Sequence, residues 1–484
     1  MQEQKYKTIN MASELDNEKF EKIKSKSTFR PLFHISPPHG LLNDPNGFCY
    51  FNNKYHLFYQ WFPFDTYHGM KHWMHLTSDD LLTWQEHGSK ITPLEQYESH
   101  GAYSGGALVE NNQSYLFYTG NIKRGNERDA NQCLAILDNN NQVTKHPDNP
   151  VITSVPEGYT GHVRDPKIIK HDNQYFMLLG AQRESDLKGE IIIYQSDDLL
   201  DWHYKGPLDI QIDGEFLEAY MYECPDLLEV DGHDVLIFSP QGVTADGTRF
   251  HNKFNVIYCL GQVNFDQLTF KVTHWDELDR GFDFYAPQTM ANAPKQQTLI
   301  AWAGTDDHLP SEEHGWINCL TLPRTLAVEQ QRLLQKPSIV TTAAVRKHEK
   351  IGHLITNQGV ELEELSFSLN VNNLNKDNHL KISLNTPSGK ELTFSINNNT
   401  ITLNREHYDH HQDDWKYGCK REHQTDYDIK DIHLICDQSI IEIYINNGRD
   451  VFTCLFFPTQ EEHQLNISTE KNAQLDTQLT YLTI

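Results

Sequence analysis

The chain has no C-x-x-C pair. Its eight cysteines, at 49, 133, 224, 259, 319, 419, 436 and 454, are scattered, which argues against a zinc site or a disulfide frame and agrees with reduced thiols. It also lacks an apolar run of membrane length and a signal peptide. Basic charge is scarce: 41 Lys and Arg stand against 67 acids, a net charge of −26. That balance excludes nucleic acid and an anionic membrane as natural partners. What remains is a small-molecule ligand, and a cytoplasmic location is expected. At 484 residues two domains are the default.

What is present is a repeat. Five apolar runs begin at Tyr55, Tyr115, Tyr175, Asp234 and Thr298, at intervals of 60, 60, 59 and 64 residues. Each follows a turn-rich connector: Asn52-Asn53, Asn111-Asn112, His171-Asp172-Asn173, Asp231-Gly232 and Pro294-Lys295. Another apolar segment precedes each connector, so every unit opens with a hairpin. A second echo pairs Ser78-Asp-Asp-Leu-Leu-Thr-Trp84 with Ser196-Asp-Asp-Leu-Leu-Asp-Trp202. Strand units of this period cannot bury their faces alone, and radial stacking solves that problem. The expected fold is all-β: a five-bladed β-propeller over 29–342, followed by a β-sandwich. Period-two patterning with Asn and Gly turns places the sandwich at 361–484. Residues 343–360 read as a linker, and residues 1–28 as a polar leader with a short helix as one form.

Counting back 10 or 11 residues from the runs reaches Asp44, Ser104, Asp165 and Glu223, while Tyr285-Ala-Pro-Gln288 occupies the same region of the fifth unit. Equivalent positions in a radial repeat form a ring, so three carboxylates are expected to point into one funnel. Two carboxylates across a small pocket suit cleavage of a glycosidic bond. Arg164, preceding Asp165, is expected to keep that residue ionised. Glu223, flanked by Met221, Tyr222, Cys224 and Pro225, reads as the group kept protonated as the acid. A calcium site would want a looped D-x-D-x-D spacing, which these positions lack, so neither metal nor cofactor is expected.

The segments His39-Gly-Leu-Leu-Asn-Asp-Pro-Asn-Gly47, Tyr103-Ser-Gly105, Arg164-Asp-Pro166 and Glu223-Cys-Pro225 resemble successive motifs of glycoside hydrolase family 32, the invertases, fructanases and sucrose-6-phosphate hydrolases. Asp283-Phe-Tyr-Ala-Pro-Gln288, Trp302-Ala-Gly304 and Ile443-Tyr-Ile-Asn-Asn-Gly448 through Phe456-Phe-Pro458 are similar to its later motifs. The likeness runs in order over residues 30–484. It implies a five-bladed propeller with a β-sandwich, and a retaining β-fructofuranosidase acting on a small β-fructoside. Asp44 would be the nucleophile, Glu223 the acid and base, and Asp165 the support of fructosyl hydroxyls, with carboxyls of Asp44 and Glu223 about 5–5.5 Å apart. Leu41, Leu42, Asn43, Gln60, Tyr103, Ser104, Arg164, Tyr285 and Trp302 would contact sugar, although Leu41 stands where the family often has an aromatic.

The stretch His68-Gly-Met-Lys-His-Trp73 and the segments His314-Gly-Trp316 and Thr321-Leu-Pro-Arg324 resemble the phosphohydrolase branch. A phosphate dianion is expected to meet Lys71 with His68 or His72; a solvated basic spot is the plain alternative, and a metal cluster of His68, His72 and His75 a third. The expected substrate is sucrose 6-phosphate, with sucrose beside it. An intracellular fructan or fructo-oligosaccharide hydrolase is the alternative within this chemistry, and a non-catalytic lectin the one outside it.

Overall fold

The structure, a computed structural model, describes residues 5–26, 28–125, 127–214, 216–304, 308–338, 346–351, 357–374, 379–407, 417–458, 461–469 and 475–483. Five antiparallel sheets form the propeller. Their innermost strands are Gly40–Phe51, Ala107–Glu110, Tyr159–His171, Met221–Val230 and Tyr285–Thr289. Each turns back into one of the five apolar runs, now strands Lys54–Phe62, Gln113–Arg124, Gln174–Arg183, His233–Gln241 and Thr298–Ala303.

The connectors explain the hairpins. Asn52 and Asn53, Asn111 and Asn112, Asp172 and Asn173, and Asp231 and Gly232 all have φ between +47° and +79°. Two consecutive left-handed residues match the twist of the flanking strands, and Asn, Asp and Gly tolerate that conformation best. The Ser-Asp-Asp-Leu-Leu echo is likewise one structure used twice. Ser78 and Ser196 accept the N–H groups of Leu81 and Leu199, and both leucines are left-handed, at φ 65° and 70°. Within the fifth blade, between Thr298–Ala303 and the outer strands Arg324–Glu329 and Arg332–Pro337, Trp316–Ile317 pairs in parallel with Gly40–Leu41 and ties the ring shut.

The sandwich has two six-stranded sheets, with Ser366–Asn372 and Leu380–Asn385 among their central strands. Phe367, Leu369, Ile382, Phe394, Ile443 and Phe452 fill the space between them. Residues 343–345 and 352–356 of the stretch read as a linker lie outside the described residues, but Arg346–Ile351 within it is a strand paired with Asp476–Thr483. In the leader, Glu14–Lys24 is a helix whose Ser13 and Asp16 form a reciprocal cap. Its Phe20 stacks on His39 at 3.8 Å.

Propeller and sandwich meet through a buried polar core. Arg324 is fully buried and binds Glu442 through Nε and Nη2 at 3.0 and 2.8 Å, Asp279 at 3.0 Å and Thr453 at 2.7 Å. His34 sits between Asp437 and Glu442. Gly281 passes so close to the sandwich that a Cβ there would lie 2.0 Å from the Thr453 carbonyl oxygen. Arg324 and His34 are thus each paired with carboxylates in this buried seam, which makes it costly to separate.

Candidate active site

A Pro lies on the propeller axis in four of the five blades: Pro45, Pro166, Pro225 and Pro287. They line a void of only about 20 Å³, so the axis is blocked beneath the funnel. In all four blades the strand register slips at this point, between Leu42 and Pro45, Arg164 and Lys167, Glu223 and Asp226, and Tyr285 and Gln288. Pro has no N–H to give to the ladder and is accommodated in bulges. Asp165, Cys224 and Ala286, each just before its Pro, are left-handed at φ 67°, 48° and 48°. Counted from the Pro, Glu223 is therefore equivalent to Asn43, Arg164 and Tyr285, one place ahead of Asp44 and Asp165. The ring register expected from the spacing is off by one at Glu223, yet all three acids open onto the same cavity of about 440 Å³.

The acids differ in their surroundings. Asp44 accepts from Ser104 Oγ at 2.5 Å and Asn43 Nδ2 at 3.1 Å. Asn43 also donates to Gln60, and Gln60 to Ser104. Burial pushes the Asp44 carboxyl up; the Ser104 bond opposes this, and the Glu223 charge adds to it. Asp165 accepts the Cys224 N–H at 3.0 Å. Its carboxyl is pushed up to about 7, by burial first and with the Arg164 charge opposing.

Glu223 is met by four donors. Arg164 Nε and Nη2 reach one oxygen at 2.9 and 2.6 Å, while Gln241 Nε2 and the Tyr285 hydroxyl reach the other at 2.7 and 2.5 Å. The apolar setting expected from its neighbours is absent, because Tyr222 turns into the core of the blade. Arg164 lies closer to Glu223 than to Asp165, 4.0 Å from its Nε; its charge does favour ionised Asp165 as expected, but burial outweighs it.

One wall is aromatic. Phe254 stacks on Tyr285 at 4.6 Å, and Tyr285 meets Trp302 edge-on at 6.2 Å. The Trp302 indole N–H is buried with no partner among the described residues, a donor that a sugar hydroxyl would satisfy. Asn43, Gln60, Tyr103, Ser104, Arg164, Tyr285 and Trp302 all line the cavity.

Three of the expected contacts do not. Leu41 packs against Phe62, Met70 and Ile317, and Leu42 against Leu57 and Trp61, because the strand holding Asp44 is buried on both faces. His72 is fully buried; its Nε2 accepts the Ile9 N–H at 3.1 Å, and burial holds the ring down at about 4. Lys71 and His68 do reach the cavity, with Lys71 Nζ bonded to Asn43 Oδ1 at 2.6 Å and His68 Nδ1 at 2.8 Å. His75 lies apart from both, stacked on Phe58 inside the first blade.

Other residues line the cavity that the repeat spacing does not mark. Lys5 and Tyr6 come from the leader, held by the Met70 N–H on the Lys5 carbonyl at 2.7 Å. His100, Lys123, Arg128 and His162 line the mouth. Only the alternation of the long second hairpin carries any signal for Lys123 and Arg128.

Comparison with known proteins agrees with this architecture. Residues 34–337 match Glycosyl hydrolases family 32 N-terminal domain, and residues 329–483 match Glycosyl hydrolases family 32 C terminal. The chain is 36% identical to the sucrose-6-phosphate hydrolase of Bacillus subtilis (strain 168), over 95% of each chain. It is 38% identical to that of Vibrio alginolyticus, over 94% of this chain and 92% of the relative. The solved sucrose-6-phosphate hydrolase of Lactobacillus gasseri superposes with a TM-score of 0.91 at 32% identity, over 100% of this chain and 99% of the other. A β-fructofuranosidase mutant of Bombyx mori in complex with sucrose gives 0.84 at 27% identity, over 97% of each chain.

Proposed function

The chain belongs to glycosyl hydrolase family 32 through both of its domains, and from that premise we propose a retaining β-fructofuranosidase that hydrolyses sucrose 6-phosphate to glucose 6-phosphate and fructose. The observation that carries the reading is that Asp44 and Glu223 open onto one closed-ended cavity with different partners. Asp44 has neutral donors on both oxygens and an unobstructed cavity before it, which suits a nucleophile. It attacks the anomeric carbon of the fructosyl unit as the bond to the leaving oxygen breaks, and Glu223 gives that oxygen a proton. In the second half, water attacks the same carbon, Glu223 takes the water's proton, and the bond to Asp44 breaks. Asp165, fixed by the Cys224 N–H, holds fructosyl hydroxyls while positive charge develops on the ring.

Arg164 and Tyr285 hold the Glu223 carboxyl in place by bonding both of its oxygens. Trp302 and Phe254 shape the wall against which the sugar lies. The names of the relatives from Bacillus subtilis and Vibrio alginolyticus support the phosphorylated substrate, and a phosphorylated disaccharide as substrate supports a cytoplasmic enzyme.

Specificity constants for sucrose 6-phosphate, sucrose and a short fructo-oligosaccharide test this reading. The phosphorylated substrate is expected to lead. A lead for the oligosaccharide would assign the chain to fructan hydrolysis, and no turnover of any of them would remove the enzyme assignment.

A further inference from the structure

At the mouth of the cavity two cations oppose each other directly. Lys123 and Arg128 are cross-strand partners in the hairpin formed by Gln113–Arg124 and Glu127–Leu137. Both line the cavity. Like charges facing across a sheet are destabilising, and the acids nearby do not relieve this pair. Glu127 and Asp129 hold the alternate register positions, opposite Arg124 and Ile122, and Asp129 bonds Arg124 at 2.7 Å. Among the described residues no carboxylate lies within ion-pair distance of Lys123 or Arg128, in a chain of net charge −26.

Two further groups converge on the same place. Lys5 also lines the cavity without a carboxylate partner among the described residues. His100 accepts the Lys123 N–H at Nδ1, 3.2 Å away, so the ring carries its proton on Nε2 and can serve as a donor. Arg128 is steadied by the Tyr103 ring, 5.5 Å from its guanidinium carbon.

Arg128 stands on the Glu223 side of the cavity. Arg164 binds Glu223 with Nε and Nη2 and His162 Nδ1 with Nη1 at 3.0 Å. Next to His162, Gly161 runs against the hairpin so tightly that a Cβ would sit 1.8 Å from the Arg128 carbonyl oxygen. From the acid outward the order is Glu223, Arg164, His162, Arg128. Lys71 is on the Asp44 side, bonded to Asn43, and Lys5, whose carbonyl accepts the Met70 N–H, enters the cavity beside it.

We propose that Lys123 and Arg128, completed by Lys5, bind the phosphoryl dianion carried by the leaving sugar, and that Lys71 and His68 serve the fructosyl side instead. This rests on the phosphorylated-substrate reading above. An anion between the two cations turns their repulsion into two charge-assisted contacts, and Arg128 offers the planar fork that suits phosphate oxygens. The site selects the substrate and takes no part in the bond exchange.

The test is kcat/KM for sucrose 6-phosphate and for sucrose in the full-length parent, in Lys123→Gln, Arg128→Gln and the double variant, and in Lys71→Met. Each mouth substitution is expected to lower the preference for the phosphorylated substrate by roughly tenfold to a hundredfold. Competitive inhibition by glucose 6-phosphate should weaken by a similar factor, while inhibition by glucose changes little. Lys71→Met is expected to reduce both substrates together and leave the ratio in place. If the parent discriminates and the double variant keeps its ratio, the phosphate site is wrong and the substrate reading stands. A parent that does not discriminate overturns the substrate reading and the site together.

Discussion

Arg164 clasps one oxygen of Glu223 between Nε and Nη2, at 2.9 and 2.6 Å, although Glu223 belongs to the neighbouring blade and lies 59 residues further on. Tyr285, from the next blade again, closes on the other oxygen. Three blades thus fix the orientation of one carboxyl before substrate arrives, and any loss of that grip should appear in the chemical step.

Arg164→Lys keeps the charge and removes the fork. Its kcat is expected to fall roughly tenfold to a hundredfold, the worth of one charged hydrogen bond. The loss should be larger on the natural leaving sugar than on an activated one, because only the former needs the proton from Glu223. A change confined to KM would show that Arg164 binds substrate and does not position the acid.

The pH profile follows from Asp44. Burial and the Glu223 charge both raise its carboxyl, and the nucleophile acts ionised. Activity therefore falls as pH drops through that raised value, so the acid limb of kcat/KM lies above the ordinary Asp value of about 3.9. Glu223→Gln should cost about 10²–10⁴ in kcat/KM on the natural substrate and much less on an activated fructoside, whose leaving group needs no proton. An equal cost on both would mean that Glu223 does not protonate the leaving oxygen.

The seam between the domains titrates separately. Burial alone would lower the His34 ring, but the hydrogen bonds it donates to Asp437 and Glu442 outweigh this and raise it to about 9. Its unfolded value is about 6.5, so its contribution is complete below that pH and is lost as pH rises through about 9. Glu442 is held down to about 2, with Arg324 and His34 outweighing burial; its contribution is lost as pH falls through that value. Thermal stability should decline between pH 6.5 and 9.5 by on the order of 3 kcal/mol. His34→Gln should flatten that decline, and a variant keeping the full slope would place the titration elsewhere.

Much of this was legible before any coordinates. Asn52-Asn53, Asn111-Asn112, Asp172-Asn173 and Asp231-Gly232 mark hairpins because few other residue pairs accept two left-handed conformations in succession. Asp44, Asp165 and Glu223 could all be reached by counting back from the apolar runs. What the count does not reveal is that Glu223 stands one place further from its Pro, since a bulge adds a residue without changing the composition. Leu41, Leu42 and His72 were misplaced for a different reason: a motif names neighbours in the chain, while a strand buried on both faces decides which of them sees the cavity. Lys5 and Tyr6 left no local signal, because what holds them is a backbone bond from Lys5 to Met70, far along the chain.

Retaining hydrolysis requires an oxygen of Asp44 to bond the fructosyl carbon. In Glu223→Gln an activated fructoside can still load the enzyme, but the water of the second step has lost its base, so the intermediate should accumulate. Peptide mapping by mass spectrometry is expected to find a fructosyl ester on Asp44. An ester on another carboxylate, or rapid turnover with no adduct, would contradict it.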